Sequence, residues 1–339
     1  MTLTLTTRLI LSVLAGALAP LALAPFSLWP LAPLSVLLFW WLLQSAPNTT
    51  TATLAGLSYG LGYFGVGVSW VFVSMVDHSE THWAIAAILT FLFCGGLALF
   101  YAALTWLFHR FKHLHQHPCL LFIGLWLCLD LVRGWLLTGF PWLYLGYGSL
   151  HTYLAGYAPV LGVHGLTLFS VSSAVLIYSV LTQPLKTKLL NLALLLSVWV
   201  GGWGLTHVQW SQPSQTKPIQ VTLLQGNIAL EDKWLPEHLA PSLGYYLEHT
   251  YKHLNSDLIV WPETAIATYW DYIANAMDNV TATAQENNTQ IISGTVIREH
   301  TGLGAGYYNS LVAIGHNSQL DSTTSQGFYH KQRLVPFGE

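Results

Sequence analysis

Seven apolar runs constrain this chain more than any other feature. They lie at about 8–25, 27–45, 53–75, 83–108, 119–138, 154–182 and 189–207. A helix needs roughly 20 mainly apolar residues to cross a bilayer's hydrocarbon core. Turn and polar signals separate the runs: Pro25, "SAPNTTT", "DHSETH", "HRFKHLHQHP", "GFPW" and "QPLKTK". The charge distribution agrees. Only 8% of the 339 residues are charged, against about 25% in ordinary globular domains. Residues 1–206 hold nine charged side chains and the remaining 133 hold eighteen. The sequence therefore predicts a membrane domain with seven transmembrane helices over 1–207, and a more polar domain over 217–339.

The basic residues give an orientation. Arg8 precedes the first run, Arg110 and Lys112 follow the fourth, and Lys186 and Lys188 follow the sixth. With seven spans these places share one side, while Asp77 and Glu80 lie on the other. Cytoplasmic loops carry the excess of Lys and Arg, so the N-terminus is expected in the cytoplasm and residues after 207 outside it. Residues 1–24 resemble a signal peptide, with Arg8, an apolar stretch and "ALA" at 22–24. Pro25 directly after the cut argues against cleavage.

Several polar features leave alternatives open. Asp130 and Arg133 sit on one helix face, either as a headgroup contact or as a local ion pair. The segment "GFPWLYLGYG" (139–148) reads as a re-entrant lipid-access element or an aromatic belt. The histidines of "HRFKHLHQH" have no carboxylate partners, and Cys94, Cys119 and Cys128 show no CxxC spacing. Neither pattern points to a metal or redox site, and the cysteines are expected to pack as small apolar groups. A net charge of −3 gives no nucleic-acid footprint.

From Lys217 the period changes. "IQVTLLQGNI", "DLIVWPETA", "QIISGTVIRE", "YYNSLVAIG" and "GFYHKQRLV" read as strands. "LEDKWLPEHLAPSLGYYLEHTYKHL" and "YWDYIANAMDNVTATAQENN" read as helices. This order predicts a layered α/β domain, without a glycine-rich phosphate loop. Glu263 follows an apolar strand stopped by Pro262, at the carboxyl edge where open α/β sheets place their sites. Beside Trp261 its carboxylate is expected to be partly desolvated, which moves it toward a useful general base. The plain alternative is an acidic residue starting a helix. Lys331, in the alternation Phe328 to Gln332, is either an outward strand lysine or a fixed cation able to stabilise an oxyanion. Glu339 after "LVPFG" carries the same ambiguity.

"VWPETA", "YNSL" and "YHKQRLVPFGE" resemble the signature segments of the nitrilase superfamily, the carbon–nitrogen hydrolases. Behind the apolar runs, with "LAPFSLWPLAPLS" and "RGWLLTGFPWLYLGYG", the chain resembles the apolipoprotein N-acyltransferase family over nearly its whole length. That resemblance implies an N-terminal polytopic α-helical membrane domain followed by a partial α/β nitrilase-like domain of αββα sandwich type. It implies a multi-pass protein of the bacterial inner membrane with its catalytic domain on the periplasmic side. By position, Glu263 matches the general base, Lys331 the oxyanion-stabilising lysine and Glu339 a supporting glutamate. Trp234 resembles a site-lining tryptophan, with a core aromatic as the plain alternative, and Asn309 is a further binding candidate.

The implied reaction moves an acyl chain from a membrane phospholipid to the N-terminal amine of a diacylglyceryl-cysteine lipoprotein, through a cysteine thioester and without metal or cofactor. The family's nucleophilic cysteine is expected beyond Lys331, and Cys94, Cys119 and Cys128 lie in the apolar runs instead. The 339 residues therefore read as an N-terminal fragment, inactive alone. The alternatives are a membrane-anchored amidase acting on soluble amides, or a transporter with an accessory domain.

Overall fold

A computed structural model of the chain describes residues 3–79, 81–213, 217–301, 304–315 and 327–332, without the side chains of 300, 301 and 304. The chain divides into two compact units, residues 1–212 and 213–339. Each of the seven apolar runs forms helix in the first unit: α1 (Leu5–Leu18), α2 (Leu31–Gln44), the pair α3 (Thr49–Gly67) and α4 (Trp70–Asp77), α5 (Trp83–Phe111), α6 (Pro118–Arg133), α7 (Ala158–Thr182) and α8 (Leu185–Leu205). In lipid every backbone N–H and C=O must find a partner within the protein, and the helix provides them.

The helices differ in reach. Four segments are long and apolar enough to cross a membrane: Leu5–Ala22, Trp83–Leu114, Tyr153–Thr182 and Leu185–Leu205. The pair α3 and α4, bent by 48°, makes a fifth if it is one span. α2 is shorter than its apolar run because it starts only at Leu31, after Pro30. Its 14 residues extend only about 21 Å. α6 has 16 residues. The described residues thus contain four or five helices of spanning length and apolarity, in a unit built as that of a multi-pass membrane protein.

Close packing in this unit uses small residues, as helices in lipid require. A Cβ on Gly62 of α3 would lie 2.0 Å from Val13 O of α1. Phe39, Tyr59, Tyr101, Phe122 and Trp126 form a buried aromatic cluster between α2, α3, α5 and α6. The buried arginines of this unit are matched to carbonyls. Arg8, 2% exposed, lies in the first turn of α1 and donates to Leu42 O, to Ser45 Oγ at 2.9 Å and to Ser45 O at 2.8 Å. It therefore caps the C-terminus of α2 and is not the surface cation the loop-charge argument assumed.

Arg133 and Asp130 form a buried ion pair at 2.9 Å. Arg133 also donates to Trp142 O at 2.6 Å and Phe140 O at 3.3 Å, and stacks on Tyr144 with its guanidinium 4.6 Å from the ring centre. It thereby ties the loop after α6 to the helix end, which is more than a local surface pair does. The loop is tightly turned, with φ of 53°, 71° and 90° at Leu137, Thr138 and Gly139.

The second unit has one mixed sheet. β1 (Val221–Leu223), β2 (Leu258–Val260) and β4 (Gln290–Thr301) run parallel, and β5 (Gly304–Gly315) and β6 (Phe328–His330) continue antiparallel, in the order β1-β2-β4-β5-β6. A further strand, β3 (Ile266–Tyr269), pairs with the far half of β4. The long helix expected over 230–254 is divided into α9 (Leu230–Lys233) and α10 (Pro236–Lys252), because Pro236 begins a new helix at its first position. α11 (Trp270–Glu286) buries Trp270, Ile273, Met277, Val280 and Ala284, the alternating three- and four-residue spacing of one helix face. That face meets Ile259, Ile291, Val312 and Ile314 of the sheet in one core.

Replacing Arg133 with Met leaves the Asp130 carboxylate buried without its cation. The helical unit should lose about 3–5 kcal/mol of stability, and Asp130→Asn added to Arg133→Met should recover part of it. Detergent unfolding followed by tryptophan fluorescence measures both, and a double variant less stable than the single one contradicts the buried-pair account.

Candidate active site

β2 and β3 behave as one strand, broken where it crosses β4. β2 aligns Leu258 to Val260 with Gln290 to Ile292, and β3 resumes opposite Thr295. Between them, Trp261 N donates to Ile292 O at 2.8 Å and Gly294 N donates to Pro262 O at 3.2 Å. Pro262 offers no N–H to the ladder, and Thr264 adopts a left-handed φ of 50°. The elbow arches over Gly294, where a Cβ would lie 2.2 Å from Thr264 N and 2.8 Å from the Glu263 Cα. Only a glycine allows this approach, and the arch thrusts the Glu263 side chain off the sheet.

Two donors from distant strands reach that side chain at one oxygen. Asn309 Nδ2 of β5 lies 2.8 Å from Glu263 Oε1, and Lys331 Nζ, just after β6, lies 3.2 Å from the same atom. Lys331 N also donates to Asn309 O at 2.8 Å, extending the β5–β6 pairing by one residue. A third donor meets the elbow's backbone: Lys233 Nζ, at the end of α9, lies 2.9 Å from Glu263 O. Beside Glu263 opens a cleft of about 190 Å³, lined among others by Gln225, Asn227, Lys233, Ser242 and Tyr246. Burial raises the Tyr246 phenol above its usual range, so this side chain stays uncharged.

The structure thus brings Glu263, Lys331 and Asn309 together and leaves Trp234 apart. Trp234 is 55% exposed and is not among the residues lining the cleft. Its neighbour Lys233 meets the Glu263 carbonyl, a role that its place in "EDKW" did not reveal. Glu339 lies outside the described residues. The expected desolvation of Glu263 is not found: its side chain is 65% exposed. The reason is the elbow: Trp261 keeps the inward face of Ile259, and the break at Pro262 and Thr264 turns Glu263 away from it. Trp261 turns into the core, donates to Thr250 Oγ1 at 3.0 Å and stacks on Tyr246, so its indole does not cover the carboxylate.

A carboxylate with a lysine and an amide at one oxygen, at the carboxyl edge of a parallel segment, is an arrangement for acid–base work on a bound carbonyl compound. Comparison with known proteins places the chain. Residues 15–176 match the apolipoprotein N-acyltransferase N-terminal domain, and residues 220–339 match the carbon–nitrogen hydrolases. The chain is similar to the apolipoprotein N-acyltransferases along almost its whole length. It is 39% identical over 98% of its length to the apolipoprotein N-acyltransferase of Photobacterium profundum and covers 63% of that protein. Against the Pseudomonas aeruginosa protein of the same name the identity is 39% over 97% of this chain and 64% of the relative. With the Methylococcus capsulatus protein it is 37% over 98% and 64%. The chain therefore spans a little under two thirds of these relatives.

Lys233 reports on the electrostatics of the site. Desolvation lowers its pKa from the usual lysine value, and the Glu263 charge pulls it partly back up. Glu263→Gln should therefore lower the Lys233 pKa further. The unfolded chain holds that proton more tightly, so the burial cost is fully present at neutral pH and is relieved as pH rises through the lowered value. NMR titration of the lysine side chains measures this; an upward or absent shift in Glu263→Gln contradicts the geometry.

Proposed function

We propose that this chain serves transfer of an acyl chain from a membrane phospholipid to the N-terminal amine of a diacylglyceryl-modified lipoprotein. The observation that carries the reading is the meeting of Glu263, Lys331 and Asn309 at one carboxylate oxygen. Similarity to the apolipoprotein N-acyltransferases supports the choice of substrates.

In this reading Glu263 is the general base. It takes the proton of a thiol, and the sulfur attacks the ester carbonyl of the phospholipid. Lys331 stabilises the negative oxygen of the tetrahedral intermediate, and Asn309 holds the carboxylate in register with it. The glycerol C–O bond breaks and the lysophospholipid leaves with a proton, so an acyl thioester remains. The lipoprotein amine then attacks the thioester, the C–N bond forms as the C–S bond breaks, and the proton lost by the amine passes through Glu263 to the departing thiolate. Lys233 fixes the elbow through the Glu263 carbonyl. Both substrates are membrane-anchored, which gives the helical unit its purpose: it holds the hydrolase unit at the lipid surface. If all seven apolar runs cross the bilayer, the basic residues Arg110, Lys112, Lys186 and Lys188 support a cytoplasmic N-terminus, with the hydrolase unit on the periplasmic side of the inner membrane.

The thiol is not among residues 213–339, which hold no cysteine; Cys94, Cys119 and Cys128 belong to the helical unit. The 339-residue chain alone is therefore expected to form no thioester with phospholipid labelled in its acyl chain. A hydroxylamine-sensitive acyl adduct on it would refute the assignment. In the protein purified from cells that make it, Lys331→Met should slow acyl transfer by about 10²–10³. Hydrolysis of soluble amides without release of lysophospholipid would favour an amidase instead.

A further inference from the structure

The sheet face opposite Glu263 carries a second polar chain that the proposed reaction does not use. Ser310 of β5 pairs across the strands with His330 of β6. Alternate residues of a strand point to opposite faces, so with Asn309 and Lys331 turned to Glu263, Ser310 and His330 turn away from it. His330 Nδ1 lies 2.7 Å from Ser310 Oγ, and Nε2 lies 3.1 Å from Glu299 Oε1 on β4. The imidazole stacks on Tyr308 with ring centres 4.6 Å apart. The grouping has the members of a Ser–His–Glu triad but not the access of one. Ser310 is 3% exposed, and its hydroxyl donates to Tyr308 O at 3.1 Å.

The direction of these hydrogen bonds depends on the charge of the ring. With the hydroxyl proton on Tyr308 O, Ser310 Oγ accepts from His330 Nδ1. An ionised Glu299 only accepts, so Nε2 donates to it. Both nitrogens then carry protons, which is the imidazolium form. When the ring loses one, Ser310 must turn its proton to Nδ1 and release Tyr308 O. Among the described residues, the titratable groups in contact with the ring are Glu299 on β4 and Tyr308 on β5. Arg298 is engaged elsewhere, with Asp271 at 3.1 Å, as Lys331 is with Glu263.

β6 has only three residues, and Lys331 follows it directly. A contact that fixes His330 therefore fixes the start of the Lys331 side chain. We propose that Glu299, His330 and Ser310 form a protonation-dependent clamp that positions Lys331 against Glu263. The proposal rests on the reading of Lys331 as the oxyanion-holding cation.

Amide hydrogen exchange at Lys331, corrected for intrinsic exchange and followed from pH 5 to 8 in the detergent-solubilised protein, tests it. Protection should fall about fivefold as His330 loses its proton, the effect of one hydrogen bond of ordinary net strength. His330→Ala should lower protection about tenfold and abolish the pH dependence. His330→Gln, which keeps a donor and an acceptor but does not titrate, should restore most of the protection without the pH dependence. Glu299→Gln, a same-sized change at a side chain 44% exposed, should shrink the pH-dependent step and serves if His330→Ala does not fold. Protection independent of pH in the unaltered protein, or unchanged in His330→Ala or Glu299→Gln, overturns the clamp. The readout is strand position, so it is separate from acyl transfer by Lys331→Met, which tests the reading of Lys331 itself.

Discussion

One carboxylate oxygen, Glu263 Oε1, accepts hydrogen bonds from two side chains 46 and 68 residues away in sequence. Most of the second unit serves that meeting. An exposed ion pair contributes only about 0–1 kcal/mol, and Glu263 is 65% exposed. The Lys331–Glu263 contact therefore cannot hold the strands in place; the strands must hold it. They do so through a core of Ile259, Ile291, Val312 and Ile314, all buried. Burying each such side chain stabilises the fold by roughly 1.5–3 kcal/mol, several times the worth of the pair. The break between β2 and β3, made possible by Gly294, then turns one residue of the ladder outward.

The helical unit follows the same economy of charge by a different route. Its buried arginines, Arg8 and Arg133, both bind carbonyl oxygens at helix ends or in loops. A cation in an apolar setting is tolerated only where its donors are matched. The consequence is that two of the few charges in the membrane part are structural ties. The loop after α6 is thereby fixed to the helix it leaves.

Much of this was legible in the sequence. The apolar runs marked every long helix of the first unit, and strand and helix patterns marked most of the second. The position of Glu263 after an apolar strand and Pro262 pointed to the sheet edge. Other features depend on three-dimensional pairing that no local pattern encodes. β3 was not predicted from the sequence, and β4 gives it its partner. Asn309, in an ordinary "YNS", lies nearer Glu263 Oε1 than Lys331 does, since the β4–β5 register places it there. Trp261 suggested a dry carboxylate, but the elbow at Pro262 and Thr264 parts the two side chains. Trp234 drew notice as an aromatic, while Lys233 beside it reaches the elbow. Proline positions shortened α2 and split the 230–254 helix, effects local enough to have been anticipated.

The central claim is that Glu263 and Lys331 act as one unit. A double-mutant cycle on acyl transfer, using Glu263→Gln and Lys331→Met in the protein purified from cells that make it, tests that most directly. Residues acting as a unit give strongly non-additive losses. The double variant should therefore be no slower than the slower single variant. A double variant whose loss equals the product of the two single losses would show that the residues act independently and would contradict the account.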